Sequence, residues 1–380
     1  MTIPIMQNVY ITRLSKFLPY EPIDNDEMEA VLGFVGNKPS KVRPLILRNN
    51  GIKTRYYAFA EGKKTYSNAE LTAEAVKILF PNANIEALEL LACGTTSPDQ
   101  TLPSHASMVH GILGSHPMET YSFSGACNSG MNAFKLAWLS VGSGDVRNAV
   151  ATGSERMSKF LTADKFEAEI DKVKEIEENG YIAFEKDFLR WMLSDGAGAA
   201  FFEDKPNANG LSLKVEWVEI TSFAHQLETC MYAGSVKNGS DLVGYNDLPT
   251  NEWLSQSVFS IKQDTRLLGE NIVPRGVDFL EKIIKKRGWE SSKVDWFLPH
   301  LSSEFFRKKI KEELALRNLT IPESAWYTNL DRLGNVGSAS PYFMLEELFN
   351  QAKLKKGEQI FIMVPESARF AYTYALLTVV

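Results

Sequence analysis

The stretch Glu119-Thr-Tyr-Ser-Phe-Ser-Gly-Ala-Cys-Asn-Ser-Gly130 constrains this chain most, because an apolar run passes through a glycine-flanked turn straight into an amphipathic segment. Residues 119–123 read as a buried strand, Gly125 permits a tight turn, and Met131, Phe134 and Trp138 recur on one helical face. The same arrangement sets Cys127 at a helix N-terminus. There, unpaired N–H groups and the positive end of the helix dipole favour a thiolate, and Asn128 is in position to cap the helix. By itself the segment describes a displayed nucleophile or a small core cysteine among glycines that permit close packing.

The rest of the chain repeats this alternation. Strand signals at residues 9–11, 87–93, 121–123, 149–152 and 197–202 are interleaved with helical patterns at 69–79, 104–113 and 128–141. The second half reads as strand 211–220, helix 277–287, strand 294–298, helices 304–317 and 338–352, and strands 359–364 and 372–379. Such alternation indicates an α/β chain, and with 380 residues, 44% of them hydrophobic, it has material for two domains or one duplicated domain. The expected division is 1–205 and 206–380. Between the halves, residues 160–188 are rich in Glu and Lys without a strand signal and read as a helical insertion.

Several function classes drop out. Gly196-Ala-Gly198 lacks the third glycine and the helix that a dinucleotide site needs, so no nucleotide cofactor is expected. Three scattered cysteines (Cys93, Cys127, Cys230) suit neither a disulfide framework nor a paired-cysteine zinc site, and the histidines show no metal spacing. The expected setting is a reducing cytoplasm. A net charge of −6 gives no general attraction to nucleic acid or acidic membrane, and no run approaches a membrane span.

Two further residues carry chemistry. Val294-Asp-Trp-Phe-Leu-Pro-His300 sets a histidine after an apolar strand, and Asp331-Arg-Leu-Gly-Asn335-Val-Gly sets an asparagine in a glycine loop before a helix. Separately, each fits a structural role. Together with Cys127 they form the Cys/His/polar pattern of thiol-based acyl transfer.

At this point the chain resembles β-ketoacyl-acyl-carrier-protein synthase III and its thiolase-fold relatives. The resemblance rests on Leu90-Leu-Ala-Cys-Gly-Thr-Thr-Ser-Pro-Asp99, Gly125-Ala-Cys-Asn-Ser-Gly130, Gly153-Ser-Glu155, Ser194-Asp-Gly-Ala-Gly-Ala199, Leu298-Pro-His300 and Gly334-Asn335, in the family's order from Val9 to the C-terminus. It implies a layered α-β-α-β-α sandwich of two pseudo-symmetric halves, each with a five-stranded sheet, and a homodimer. It also implies catalytic Cys127, His300 and Asn335, no cofactor, and acyl thioesters on carrier protein or coenzyme A as substrates. The oxyanion donors would be the N–H of Cys127 and one from the final loop, where Pro365-Glu-Ser-Ala-Arg369 replaces the family's glycine-rich run and Ala368 is the candidate. Leu45 and Asn49 stand where relatives that take coenzyme A carry a tryptophan and an arginine, which favours carrier-protein donors docking at Arg307, Lys308 and Lys309. Within the family the chain looks most similar to condensing enzymes of dialkylresorcinol biosynthesis. The alternatives are a decarboxylative synthase III using malonyl-carrier protein, an O-acyltransferase, or a noncatalytic partner subunit.

Overall fold

A computed structural model of the chain describes residues 6–81, 84–165, 189–351 and 353–380. Nine strands form its main sheet: β1 (Tyr10–Phe17), β2 (Leu90–Thr95), β3 (Glu119–Ser124), β4 (Asn148–Glu155), β5 (Gly196–Glu203), β6 (Leu213–Ser222), β7 (Trp296–Pro299), β8 (Gln359–Glu366) and β9 (Ala371–Val379). Seven of its helices build the layers and position the site: α1 (Arg43–Asn50), α2 (Asn68–Ile78), α3 (His105–Leu113), α4 (Ser129–Ser143), α5 (Thr265–Arg287), α6 (Phe305–Leu316) and α7 (Ser340–Asn350).

The spatial order is β7-β8-β9-β6-β1-β5-β4-β2-β3, and it contains one topology used twice. In the first half β2 runs parallel to β4, and β4 runs antiparallel to β5, which pairs with β1. In the second half β7 runs parallel to β8, and β8 runs antiparallel to β9, which pairs with β6. The halves meet where β1 and β6 pair through only Tyr10–Lys214 and Ile11–Leu213. Among the described residues the second half has no strand equivalent to β3. A single parallel bridge from Phe297 to Trp326 stands there, so the expected five strands per half become five and four.

The layering follows from strand alternation. Leu90 and Ala92 of β2 enter one core while Leu91 and Cys93 enter another. The inner core unites Phe134 of α4 and Leu345 of α7 with Ala92 and Phe202 from the first half and Leu298 and Ile362 from the second, so these two helices form the middle layer. Helices α2 and α3 cover the outer face of the first half through residues such as Val76 and Val109, and α5 and α6 cover the second through Leu280 and Ile310. This is the α-β-α-β-α sandwich expected from the sequence.

Three readings change. Strand β3 is not buried: Glu119, Tyr121, Ser122 and Ser124 are exposed, because β3 is the terminal strand of the sheet. The helix expected over 277–287 begins at Thr265, where Asp264 caps the N–H of Leu267 (2.8 Å), and it continues through Pro274. Residues 223–264, which carry no strand pattern readable in the sequence, form an excursion with two small two-stranded sheets, Met231–Tyr232 with Lys262–Gln263 and Ser235–Asn238 with Asp241–Gly244. Of the insertion expected at 160–188, residues 166–188 lie outside the described residues.

Candidate active site

Cys127 sits in the turn between β3 and α4, one residue before the helix N-cap Asn128. The turn is closed by Ser129, whose N–H and hydroxyl both donate to Ala126 O (2.9 and 2.8 Å). Gly94 lets β2 approach it, since a Cβ there would fall 2.1 Å from Ser129 O. Asn128 does not cap the helix. Its amide faces the second half, donating to Val364 O and Thr373 Oγ1 (3.1 and 2.9 Å) and accepting from the N–H of Tyr372 (3.1 Å), in the orientation that satisfies both ends. The thiol is not biased toward thiolate either. Burial pushes its pKa up, and the carboxylates of Glu366 and then Glu155 push it further, outweighing the helix N-terminus.

His300 follows β7, and its N–H donates to Met363 O (2.7 Å), which fixes it beside β8. Its ring is buried, and among the described residues neither nitrogen has a hydrogen-bond partner. That burial lowers its pKa to about 4, so the imidazole is neutral at pH 7, with one N–H to donate. Cys127 and His300 line the same cavity, of about 50 Å³, whose other walls are apolar residues of α5, α6 and β9 such as Ile272, Val277, Ile310 and Tyr372. That is room for one or two waters, so an acyl chain enters only if wall side chains move. Tyr372 and Tyr374 satisfy their hydroxyls on α5 carbonyls, at Ile272 O (3.0 Å) and Gly276 O (2.9 Å), and so present rings to the cavity.

A second, outer cavity of about 370 Å³ lies against the first, sharing Leu268 and Phe306 with it. Asn49, Arg266, Phe305 and Lys309 are among its walls. The three basic residues on α6 differ in availability. Arg307 is committed to Glu304 (2.6 and 3.0 Å) and lies over the Trp326 ring, Lys308 is exposed with Glu312 at 3.6 Å, and Lys309 lies over the Phe305 ring. Leu45 is exposed on α1.

Asn335 does not line the inner cavity. Its backbone joins Met192 O and the N–H of Ser194 (3.0 and 2.9 Å), and its Oδ1 accepts from the N–H of Gly337 (3.0 Å), which leaves the amide nitrogen as the group it can offer. The loop behind it docks on the end of β4: Ser338 N–H donates to Glu155 (3.1 Å), and a Cβ at Gly153 would fall 2.2 Å from Ser338 O. Glu155 also accepts from the N–H of Thr96 (3.2 Å) and from the hydroxyls of Thr96 and Ser97 (2.7 and 2.8 Å), which makes it a tie between the halves.

The final loop is shaped differently from the expectation. Ala368 offers its carbonyl to the N–H groups of Cys230 and Met231 (2.9 and 3.2 Å), Phe370 takes the positive φ (60°), and the loop residues on the cavity wall are Pro365 and Ser367. The excursion 223–264 braces the loop, with Gln263 donating to Ser367 Oγ (2.8 Å) and Phe223 N–H to Phe370 O (2.9 Å). One residue that the motifs did not single out stands beside the nucleophile. Glu366 Oε2 accepts the N–H groups of Ala126 (3.3 Å) and Asn128 (3.1 Å), on either side of Cys127.

Two family models match the chain. The thiolase N-terminal domain model matches residues 50–186, around Cys127, and the 3-oxoacyl-[acyl-carrier-protein] synthase III C-terminal model matches 284–365, around His300 and Asn335. A β-ketoacyl-[acyl-carrier-protein] synthase III of Clostridium novyi is 22% identical over 94% of this chain and 95% of its own. The chain belongs to the synthase III-like family of thiolase-fold condensing enzymes. Two solved structures share the fold at 20% identity and a TM-score of 0.74: AbyA1, a tetronic acid condensing enzyme, covering 97% of this chain and 99% of that one, and Xanthomonas campestris OleA with bound lauric acid and lauroyl-CoA, covering 98% and 99%. No group of residues suited to a metal ion occurs among the described residues, and no helix there is long and apolar enough to cross a membrane.

Proposed function

We propose that Cys127 accepts an acyl group from a thioester and that the acyl-enzyme then undergoes a Claisen-type condensation with a second thioester, joining a β-ketoacyl unit to a medium-chain acyl unit and closing to a cyclic dione, as in dialkylresorcinol-type metabolism. The observation that carries this reading is the shared apolar cavity of Cys127 and a neutral, unpartnered His300. Covalent capture splits one difficult step into two. His300 N–H and the amide nitrogen of Asn335 donate to the enolate oxygen of the second thioester, while the N–H of Cys127 serves the oxyanion formed at the first. The buried, apolar setting strengthens those hydrogen bonds.

The substrates come on a carrier protein. Support comes from Leu45, which offers no aromatic platform for a nucleotide base, and from Lys308 and Lys309 near the outer cavity, which suit an acidic partner. A homodimer forms through β3, whose free edge and exposed Tyr121 suit strand pairing with a second copy. The protein works in the cytoplasm.

Product analysis tests the reaction. The protein is incubated with a β-ketoacyl thioester and a medium-chain acyl thioester, each on carrier protein and on coenzyme A. A cyclic dione is expected. A simple β-ketoacyl product formed only from malonyl-carrier protein would replace this reading with the decarboxylative one, and ester formation that survives Asn335→Ala would replace it with O-acyl transfer.

A further inference from the structure

We propose that Glu366 is the proton acceptor for Cys127: its carboxylate takes the thiol proton as the nucleophile is acylated and passes it to the departing carrier thiol. The proposal rests on the reading of Cys127 as the acyl acceptor and assigns the step that reading leaves without a base.

The geometry is specific to this chain. Glu366 ends β8, between Pro365 and Ser367 on the cavity wall, and its Oε2 grips the N–H groups that flank Cys127. Among the described residues no cation pairs with it and nothing donates to its Oε1, so one oxygen positions the carboxylate while the other keeps its lone pairs. Other acceptors near the thiol are poorer. Glu155 has its carboxylate engaged by Thr96, Ser97 and Ser338, and burial holds His300 a weak base with a pKa of about 4. Burial raises the carboxyl of Glu366, which brings its basicity closer to that of the thiol it serves.

The step balances. The Sγ–H bond breaks as Cys127 Sγ bonds to the acyl carbon, and the proton moves to Glu366. The bond from the acyl carbon to the carrier sulfur then breaks, and the carboxylic acid protonates the leaving thiolate, so both side chains are ready for the condensation.

Two measurements on one variant separate this role from a structural one. Glu366→Gln keeps an acceptor for Ala126 and Asn128 but removes the base and the negative charge. Acyl transfer to Cys127, followed by intact-protein mass spectrometry with an acyl-carrier-protein donor, is expected to slow about 100-fold. Iodoacetamide labelling of Cys127 is expected to speed up at pH 7, because losing the carboxylate lowers the thiol pKa. Glu366→Asp, which retains the base, is expected to recover part of the acylation rate. Acylation of Glu366→Gln at the wild-type rate or faster would overturn the proposal, as would an aspartate variant no better than glutamine. A wild-type protein that takes no acyl group from any donor would instead overturn the acyl-transfer reading itself.

Discussion

Glu155 and Glu366 occupy the same place in the two halves: each is the last residue of the strand that runs antiparallel to its half's final strand, and each raises the pKa of Cys127. Their surroundings differ. Glu155 is fully buried and accepts from two backbone N–H groups and two hydroxyls, so it holds the Ser338 loop against β4 and β2. Glu366 is half-buried and accepts two N–H groups through a single oxygen. The duplicated topology thus supplies two carboxylates at one sulfur, one saturated and one with capacity to spare. His300, with both ring nitrogens unpaired among the described residues, belongs with the second. Unmet hydrogen-bonding demand collects on the second half's side of the cavity, and that is where the chemistry is assigned.

The widest separation between the two sides is expected at His300. His300→Ala should slow condensation by about 100- to 1,000-fold, the usual cost of an oxyanion donor, with a smaller loss of unfolding free energy at pH 7 than Glu155→Ala, because the buried ring gives up packing but no hydrogen bond seen among the described residues. Loss of stability without loss of rate would break the comparison. Glu155→Ala is expected to do the reverse, lowering stability by about 3 kcal/mol as buried donors lose their acceptor, read from chemical denaturation.

Acid sharpens the contrast. His105 in the first half and His300 in the second both have pKa values lowered to about 4 by burial. Each prefers the neutral form when folded, so its contribution is fully present above the unfolded value of about 6.5 and is lost as pH falls toward 4, on the order of 2–3 kcal/mol per ring. His105→Gln should flatten that slope as His300→Asn does, while leaving the condensation rate far less affected. The smallest effect is expected on α6, where charge reversal at Lys308 and Lys309 should raise the KM for an acyl-carrier-protein donor a few-fold, more at low salt, with kcat unchanged. Unchanged carrier-protein kinetics would remove these lysines from the docking surface.

The sandwich was legible because strand alternation and helical spacing are local signals: residues such as Leu90 to Cys93 declare both faces of a strand. The site was legible in part. Cys127 lies two residues after Gly125, His300 directly after a strand and Asn335 beside Gly334, positions with recognisable punctuation. Other features had no such signal. The exposure of β3 depends on its being last in the sheet, which no residue in 119–124 encodes. Pro274 reads as a helix break, yet Asp264 had already started the helix and packing against β9 carries it through. The high thiol pKa and the bracing of the final loop arise from residues more than 100 positions apart, Cys127 with Glu366 and Gln263 with Ser367, and no local pattern links them. Glu366 had one clue: Gly153-Ser-Glu155 and Pro365-Glu366 both end a strand on glutamate.

Intact-protein mass spectrometry of the wild type and Cys127→Ala, after incubation with acyl-carrier-protein and acyl-coenzyme A donors of several chain lengths, tests the covalent role of Cys127 most directly. A single acyl adduct on the wild type, absent from Cys127→Ala and fastest from carrier protein, is the expected result. An adduct that persists in Cys127→Ala, or none from any donor, would contradict it.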